Sequence, residues 1–180
     1  MAKQKFSTDI QEFLERDTTQ IFLTAARKIV ELLEIENINK EDFFKRAHTA
    51  LIDLYASGHR LEEIDLEFQK EDADFKKNIF VEDKNIHQIA DFGHEAKYWK
   101  VFNPINKNMH ESMQGDLALD FDDIYYDLKA ELEKMKIGTN EAVEDALWQM
   151  KFSFTMHWGN HCIDALRALH YLSQDEKLLE

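Results

Sequence analysis

The scarcity of turn-forming residues constrains this chain more than any other feature, since its 180 residues include only five glycines and one proline. A β-sandwich or a Gly-rich phosphate loop would need more of both, because tight turns depend on them. Apolar residues instead recur every three or four positions, the spacing of helix faces. A hydrophobic content of 44% is enough for one core. We therefore predict an all-α fold, a single-domain helical bundle of five to six helices over residues 1–180.

Capping residues and apolar spacing locate the first helices. One helix is predicted to begin at Thr8 and to continue to about Ile35, and a second to run from Asn39 to about Gly58. A third helix is predicted for about residues 74–92.

The C-terminal part of the chain predicts two more helices, at about residues 117–138 and 139–169. The last one carries apolar side chains on two sides, so we predict that it is packed on two sides and lies at the centre of the bundle. Residues 103–115 form a polar stretch after an Asn-Pro pair, and we predict a long mobile connection there.

The charge balance restricts the partners. Lysine and arginine total 22 and aspartate and glutamate total 36, so the formal net charge is 22 − 36 = −14. We therefore expect no nucleic acid partner and no membrane partner, and a protein partner should be basic. No apolar run approaches the roughly 20 residues of a membrane span. The single cysteine, Cys162, favours a reducing compartment, so we expect a cytoplasmic location.

His157 and His161 form the sharpest local pattern, because side chains four residues apart lie on one helix face and can chelate one ion. A metal site needs a third ligand from another element, and His48 is our candidate, with His94 and Asp164 as further donors. His48 together with the histidine pair is loosely similar to the ligand layout of the DinB-like metal-binding four-helix bundles. The alternative interpretation is that these histidines are ordinary hydrogen-bonded residues on helix faces.

Four aspartates follow one helix face at steps of four, three and four: Asp116, Asp120, Asp123 and Asp127. Three interpretations remain open for this row. It can be a solvated face, or a cation site. The third interpretation is a structural polar network that sets the register of two helices, formed by Asp123, Asp127, Tyr125, Arg167 and His170.

The aromatic residues Tyr98, Trp99 and Phe102 precede the proline-containing connection. Amphipathic aromatic side chains at a domain surface often anchor protein interfaces. These three residues are therefore our candidate partner surface.

Several segments of the C-terminal third resemble a known family: Asp123-Ile124-Tyr125-Tyr126-Asp127-Leu128-Lys129, Asp145-Ala146-Leu147, Trp158-Gly159 and Ala165-Leu166-Arg167-Ala168-Leu169-His170. They are similar to the signature of the bacterial family DUF5063, a domain of unknown function, and the resemblance extends over about residues 98–173. It implies a small, helical, intracellular protein and no particular activity. The family pattern does not require histidine at 157 or 161, so the resemblance implies no metal site.

Two functional hypotheses follow. The preferred one is a non-catalytic, acidic, cytoplasmic accessory or interaction protein without a cofactor. The competing one is a metal-binding helical bundle that holds a divalent ion through His157, His161 and His48, with metal-dependent hydrolysis as its activity.

Overall fold

A computed structural model describes residues 6–68, 96–106, 108 and 111–174. The described elements, in chain order, are α1 (Thr8–Glu15), α2 (Asp17–Leu33), α3 (Lys40–Arg60), β1 (Lys97–Val101), β2 (Ser112–Asp116), α4 (Leu117–Met135), α5 (Asn140–Met156) and α6 (Trp158–Leu172). Six helices in these ranges confirm the predicted helical bundle. No described helix is both long and apolar enough to cross a bilayer. The helix predicted for residues 74–92 lies outside the described residues.

The last helix, α6, lies at the centre of the bundle as predicted, because it packs against α3, α4 and α5. One face of α6 is fully buried and includes Trp158, Cys162 and Ala165. The second apolar face does not pack as predicted: Phe152 on α5 and Ile163 on α6 are exposed. The central position of α6 therefore depends on the burial of its one face that includes Trp158, Cys162 and Ala165.

Two helices that the sequence predicts as continuous are each broken at one residue. Arg16 is extended, with φ −63° and ψ 136°, and separates α1 from α2. His157, with φ −142° and ψ −87°, separates α5 from α6. The second break depends on Gly159, because a methyl group there would overlap the backbone carbonyl of Phe154. The chain can therefore turn tightly between the two helices and place His157 at the junction.

A β-hairpin stands beside the helices, a feature that the sequence analysis did not anticipate. Strands β1 and β2 pair antiparallel, with Tyr98 opposite Gly115 and Lys100 opposite Met113. The predicted mobile connection at 103–115 must be corrected accordingly, since its last four residues belong to β2. Backbone pairing over a long sequence separation supplies this structure, which local periodicity does not reveal.

A buried ionic cluster fixes α4 against α5. The Lys134 ammonium lies 2.5 Å from Glu131 Oε2 and donates to Asp145 Oδ2 at 2.6 Å, and the side chain of Lys134 is only 7% exposed. Burial raises the pKa of Glu131 to about 7 even though the ammonium opposes that shift. The Lys134 ammonium therefore compensates the charge of both buried carboxyl groups.

Replacing that lysine tests the cluster. Lys134→Met should lower the free energy of unfolding by about 3–5 kcal/mol, because it leaves buried carboxylates without their cation. The matched control is Lys136→Met, whose side chain is 68% exposed in its ion pair with Glu133, and this variant should lose less than about 1 kcal/mol. Urea unfolding measures both, and equal losses would contradict the buried cluster.

Candidate metal centre

The site forms where the aspartate row of α4 faces the start of α6. Asp120, Asp123 and Asp127 lie on successive turns of α4, while His157 occupies the α5–α6 junction and His161 lies in the first turns of α6. Helices α4 and α6 pack directly on each other. This packing brings a row of carboxylates to a pair of imidazoles.

Three side chains converge there. Asp123, His157 and His161 each offer one ligand atom, and these atoms all lie within 4.8 Å of one another. His161 Nε2 is 3.4 Å from Asp123 Oδ2, and the two imidazole ring centroids are 4.9 Å apart. Two imidazole nitrogens and one carboxylate oxygen are a common ligand set for divalent transition metals.

Each histidine also forms a hydrogen bond with a second carboxylate. His161 Nδ1 donates to Asp120 Oδ1 at 2.8 Å, and His157 Nδ1 donates to Asp127 Oδ2 at 2.9 Å. A carboxylate can only accept, so these bonds place a proton on Nδ1, and the neutral imidazole then has its lone pair on Nε2. Histidine ligands of metal ions in proteins almost always have such partners.

Asp120 is the buried centre of this polar network, with only 2% of its surface exposed. It accepts a short hydrogen bond from the Tyr98 hydroxyl, and Lys100 Nζ lies 3.9 Å from its carboxylate. Lys100 donates to Asp164 Oδ2 at 2.6 Å. Burial, followed by the bond to Asp120, raises the pKa of Tyr98, so the hydroxyl keeps its proton and remains a hydrogen-bond donor.

The hairpin reaches Asp120 because one of its strands carries a glycine. The ring of Tyr98 lies across Gly115, and a methyl group at that position would overlap the ring. Tyr98 and Lys100 point from β1 towards the helices, while Trp99 between them points away. The strand therefore holds two donors against the carboxylates of α4 and α6.

His48, the predicted third ligand, does not belong to this group. Its ring faces His170, with the centroids 6.2 Å apart, and burial lowers its pKa. His170 follows His161 by nine residues, which is about two and a half turns along α6. His48 on α3 therefore lies beside a part of α6 that is well away from His161. Asp123 occupies the third position instead. Among the other donors, Asp164 pairs with Lys100 and His94 lies outside the described residues.

The predicted polar network around Arg167 is also replaced by other pairings. Tyr125 donates to Glu34 Oε1 at 2.9 Å, Asp127 pairs with His157, and His170 contacts Gln174. Arg167 is exposed and has no ion pair or hydrogen bond within the described ranges. It follows His161 by six residues and so lies about 120° away around α6, which turns it from the carboxylates of α4.

The three aromatic residues of the candidate partner surface separate into two roles. Trp99 and Phe102 are 69% and 70% exposed, whereas Tyr98 turns inward to Asp120. Ile105 is exposed close by in sequence. The outward surface therefore consists of Trp99 and Phe102 without Tyr98.

Sequence reasoning missed Lys100 as a site residue and did not separate Asp120 from its neighbours. A usable signal existed for Asp120, because it lies three residues after Leu117 and four before Ile124, both of which are fully buried. Its position within that apolar stripe indicates burial. Lys100 carried no such signal, since its role depends on the hairpin.

Comparison with known proteins assigns the chain to a family. The model of a domain of unknown function, DUF5063, matches residues 13–175. The chain belongs to the DUF5063 family. This DUF5063 protein is similar in fold to a Bacteroides fragilis protein whose crystal structure comes from a structural genomics consortium, with 19% sequence identity, coverage of 88% of this chain and 93% of that chain, and a TM-score of 0.69. That likeness concerns the fold alone. A search of curated proteins found no match.

The bond between His161 and Asp120 predicts a pH dependence of stability. The Asp120 hydrogen bond, opposed by burial, raises the pKa of His161. A raised folded-state pKa stabilises the fold below the unfolded value of about 6.5, and this contribution is lost as the pH rises through the folded value. The contribution of His161 to the stability of the metal-free protein should therefore fall as the pH rises from about 6.5 through the raised folded-state value.

Asp120→Asn is the variant that tests this dependence, because an amide holds the imidazolium of His161 less strongly than a carboxylate. Urea unfolding of both proteins in the presence of a chelator should show a shallower fall for the variant. His48 titrates in both proteins, so the difference between the slopes isolates His161. Identical slopes in the two proteins would refute the conclusion that the bond to Asp120 raises the pKa of His161.

Proposed function

We propose that this protein binds one divalent transition-metal ion through Asp123, His157 and His161. The observation that carries the proposal is the convergence of their ligand atoms within 4.8 Å. The sequence analysis predicted a metal centre formed by His157, His161 and His48. The proposed centre keeps His157 and His161 and has Asp123 in place of His48.

The ligand chemistry supports a transition metal over magnesium or calcium. Imidazole nitrogens suit zinc, iron, cobalt and nickel, whereas Mg²⁺ and Ca²⁺ prefer oxygen ligands alone. Asp120 and Asp127 form hydrogen bonds with the two imidazoles and fix their orientation. Proteins commonly gain about tenfold to a hundredfold in metal affinity from such partners.

Three protein ligands leave a coordination position for water or another small ligand. Catalytic metal sites keep such a position, whereas structural zinc sites fill all four with side chains. His157 and Asp123 are partly exposed to solvent, so the ion would be accessible. The centre is therefore of the open type, and metal-dependent hydrolysis is the activity class to screen.

Metal content and thermal stability test this function. Untagged protein purified without chelator should contain close to one equivalent of zinc, iron, cobalt, nickel or manganese by elemental mass spectrometry. Zinc at about 100 times its dissociation constant should stabilise the chelator-treated protein by about 2.7 kcal/mol. For a chain of this size that corresponds to a rise of roughly 5–10 °C in Tm.

The double variant His157→Ala/His161→Ala should lose both the metal and the zinc-induced rise in Tm. A matched control is His48→Ala/His170→Ala, which removes two other neighbouring imidazoles and should retain both properties. A metal content that is the same in the two double variants would contradict the proposed centre.

A second function is favoured by the exposure of Trp99 and Phe102, which are 69% and 70% exposed. Large aromatic side chains on the outer face of a hairpin are typical anchors of a protein interface. We propose a basic protein partner for this surface, because the chain carries a net charge of −14. Tyr98 and Lys100 lie on the face of β1 that meets the metal centre, whereas Trp99 lies on the other face and Phe102 follows the strand, so both functions can coexist.

Trp99→Ser/Phe102→Ser tests the partner surface. Proteins retained from a lysate of the source cell by the wild type should be lost with this variant, should be basic, and should elute with moderate salt. The matched control Ile21→Ser/Ile52→Ser removes two other exposed apolar side chains, on α2 and α3. This control should still retain the captured proteins. The interface assignment is wrong if all three proteins retain the same set.

A further inference from the structure

We infer that the open position of the metal centre accepts uncharged ligands and repels anions. The inference rests on the proposed function and adds the chemical class of the ligand. It predicts that substrates bind through an uncharged oxygen or nitrogen, such as the carbonyl of an ester or amide, and excludes phosphate esters and carboxylates.

The charge around the ion disfavours an anionic ligand. Asp120, Asp123 and Asp127 lie at the two histidines, and Asp164 joins them through Lys100. Four carboxylates and one ammonium sum to −4 + 1 = −3. Imidazoles that bind metal are neutral, so a divalent ion leaves the group at −3 + 2 = −1. An anion would therefore approach a site that is still negative.

In the part of the chain that the structure describes, no cation at the centre is left free to hold an anion. Sites that bind phosphate or carboxylate groups use Arg or Lys to hold them. Lys100 is committed to Asp164 and Asp120, and only 17% of its side chain is exposed. Within the described ranges, no other Lys or Arg forms an ion pair with these four carboxylates, and Arg167 points away around α6. The described part of the site therefore has no positively charged side chain available to bind an anion.

The helix that leads into His157 carries exposed apolar side chains at its end. Helix α5 ends at Met156, directly before His157. Met156 and Phe152, one turn earlier, are both exposed. They lie one turn apart on the same side of the helix. Exposed apolar side chains on the element that ends at His157 favour an uncharged organic ligand over an anion.

Cobalt provides the test, because its visible absorption reports each change in its ligands. The full-length protein, loaded with Co²⁺, is titrated with imidazole above the pKa of free imidazole and, separately, with azide. Imidazole should change the spectrum, and azide should leave it unchanged at the concentrations at which imidazole saturates. Retention of the metal is checked by elemental analysis of the protein after each titration.

Asp164→Asn makes the test sharper, because it removes one negative charge beside Lys100 without touching a metal ligand. This variant should bind azide roughly three- to tenfold more tightly than the wild type. Asp9→Asn on α1 carries the same charge change at an exposed position and should leave azide binding unchanged.

The outcomes separate this inference from the proposed function. If His157→Ala/His161→Ala gives the same cobalt spectrum as the wild type, the centre is refuted and this inference with it. If the cobalt spectrum depends on the histidines but azide binds as well as imidazole, the centre stands and the inference is overturned. Equal azide affinity in Asp164→Asn and Asp9→Asn would also overturn it.

Discussion

The buried carboxylate of Asp120 is the constraint on which the site depends. A carboxylate that is almost entirely removed from water costs several kcal/mol unless donors surround it. Tyr98 and His161 donate hydrogen bonds to it from the hairpin and from α6, and the Lys100 ammonium lies 3.9 Å away. One side chain of α4 therefore holds the hairpin and the central helix in place. This requirement explains why a chain so poor in glycine has one at Gly115, where the Tyr98 ring crosses β2.

The same carboxylate determines the chemistry of the histidines. By accepting from Nδ1 of His161, it leaves Nε2 directed at Asp123, and Asp127 accepts from Nδ1 of His157. The break between α5 and α6 matters here, because His157 stands at a junction rather than inside a helix. The partners of the ligands are thus in place before any ion binds, which lowers the ordering cost of binding.

The sequence predicted the parts of this site that depend on local spacing and missed those that depend on packing between distant elements. His157 and His161 could be paired from their separation of four residues, and the aspartate row could be seen in the steps of α4. Which aspartate completes the group depends on how α4 faces α6, so Asp123 could not be distinguished from its neighbours. The hairpin was missed because β2 is polar and pairs only through long-range backbone contacts. Lys100 was missed for the same reason. His48 was predicted as a ligand from its residue type, because the sequence does not show which part of α6 lies beside it.

The most direct test of the central claim is the position of the ion itself. Crystals grown with zinc, with anomalous diffraction recorded at the zinc absorption edge, would locate it without reference to activity. Our account predicts one dominant peak at about 2.0–2.2 Å from an oxygen of Asp123 and from one nitrogen each of His157 and His161. A dominant peak between His48 and His170, or no peak near Asp123, would contradict it.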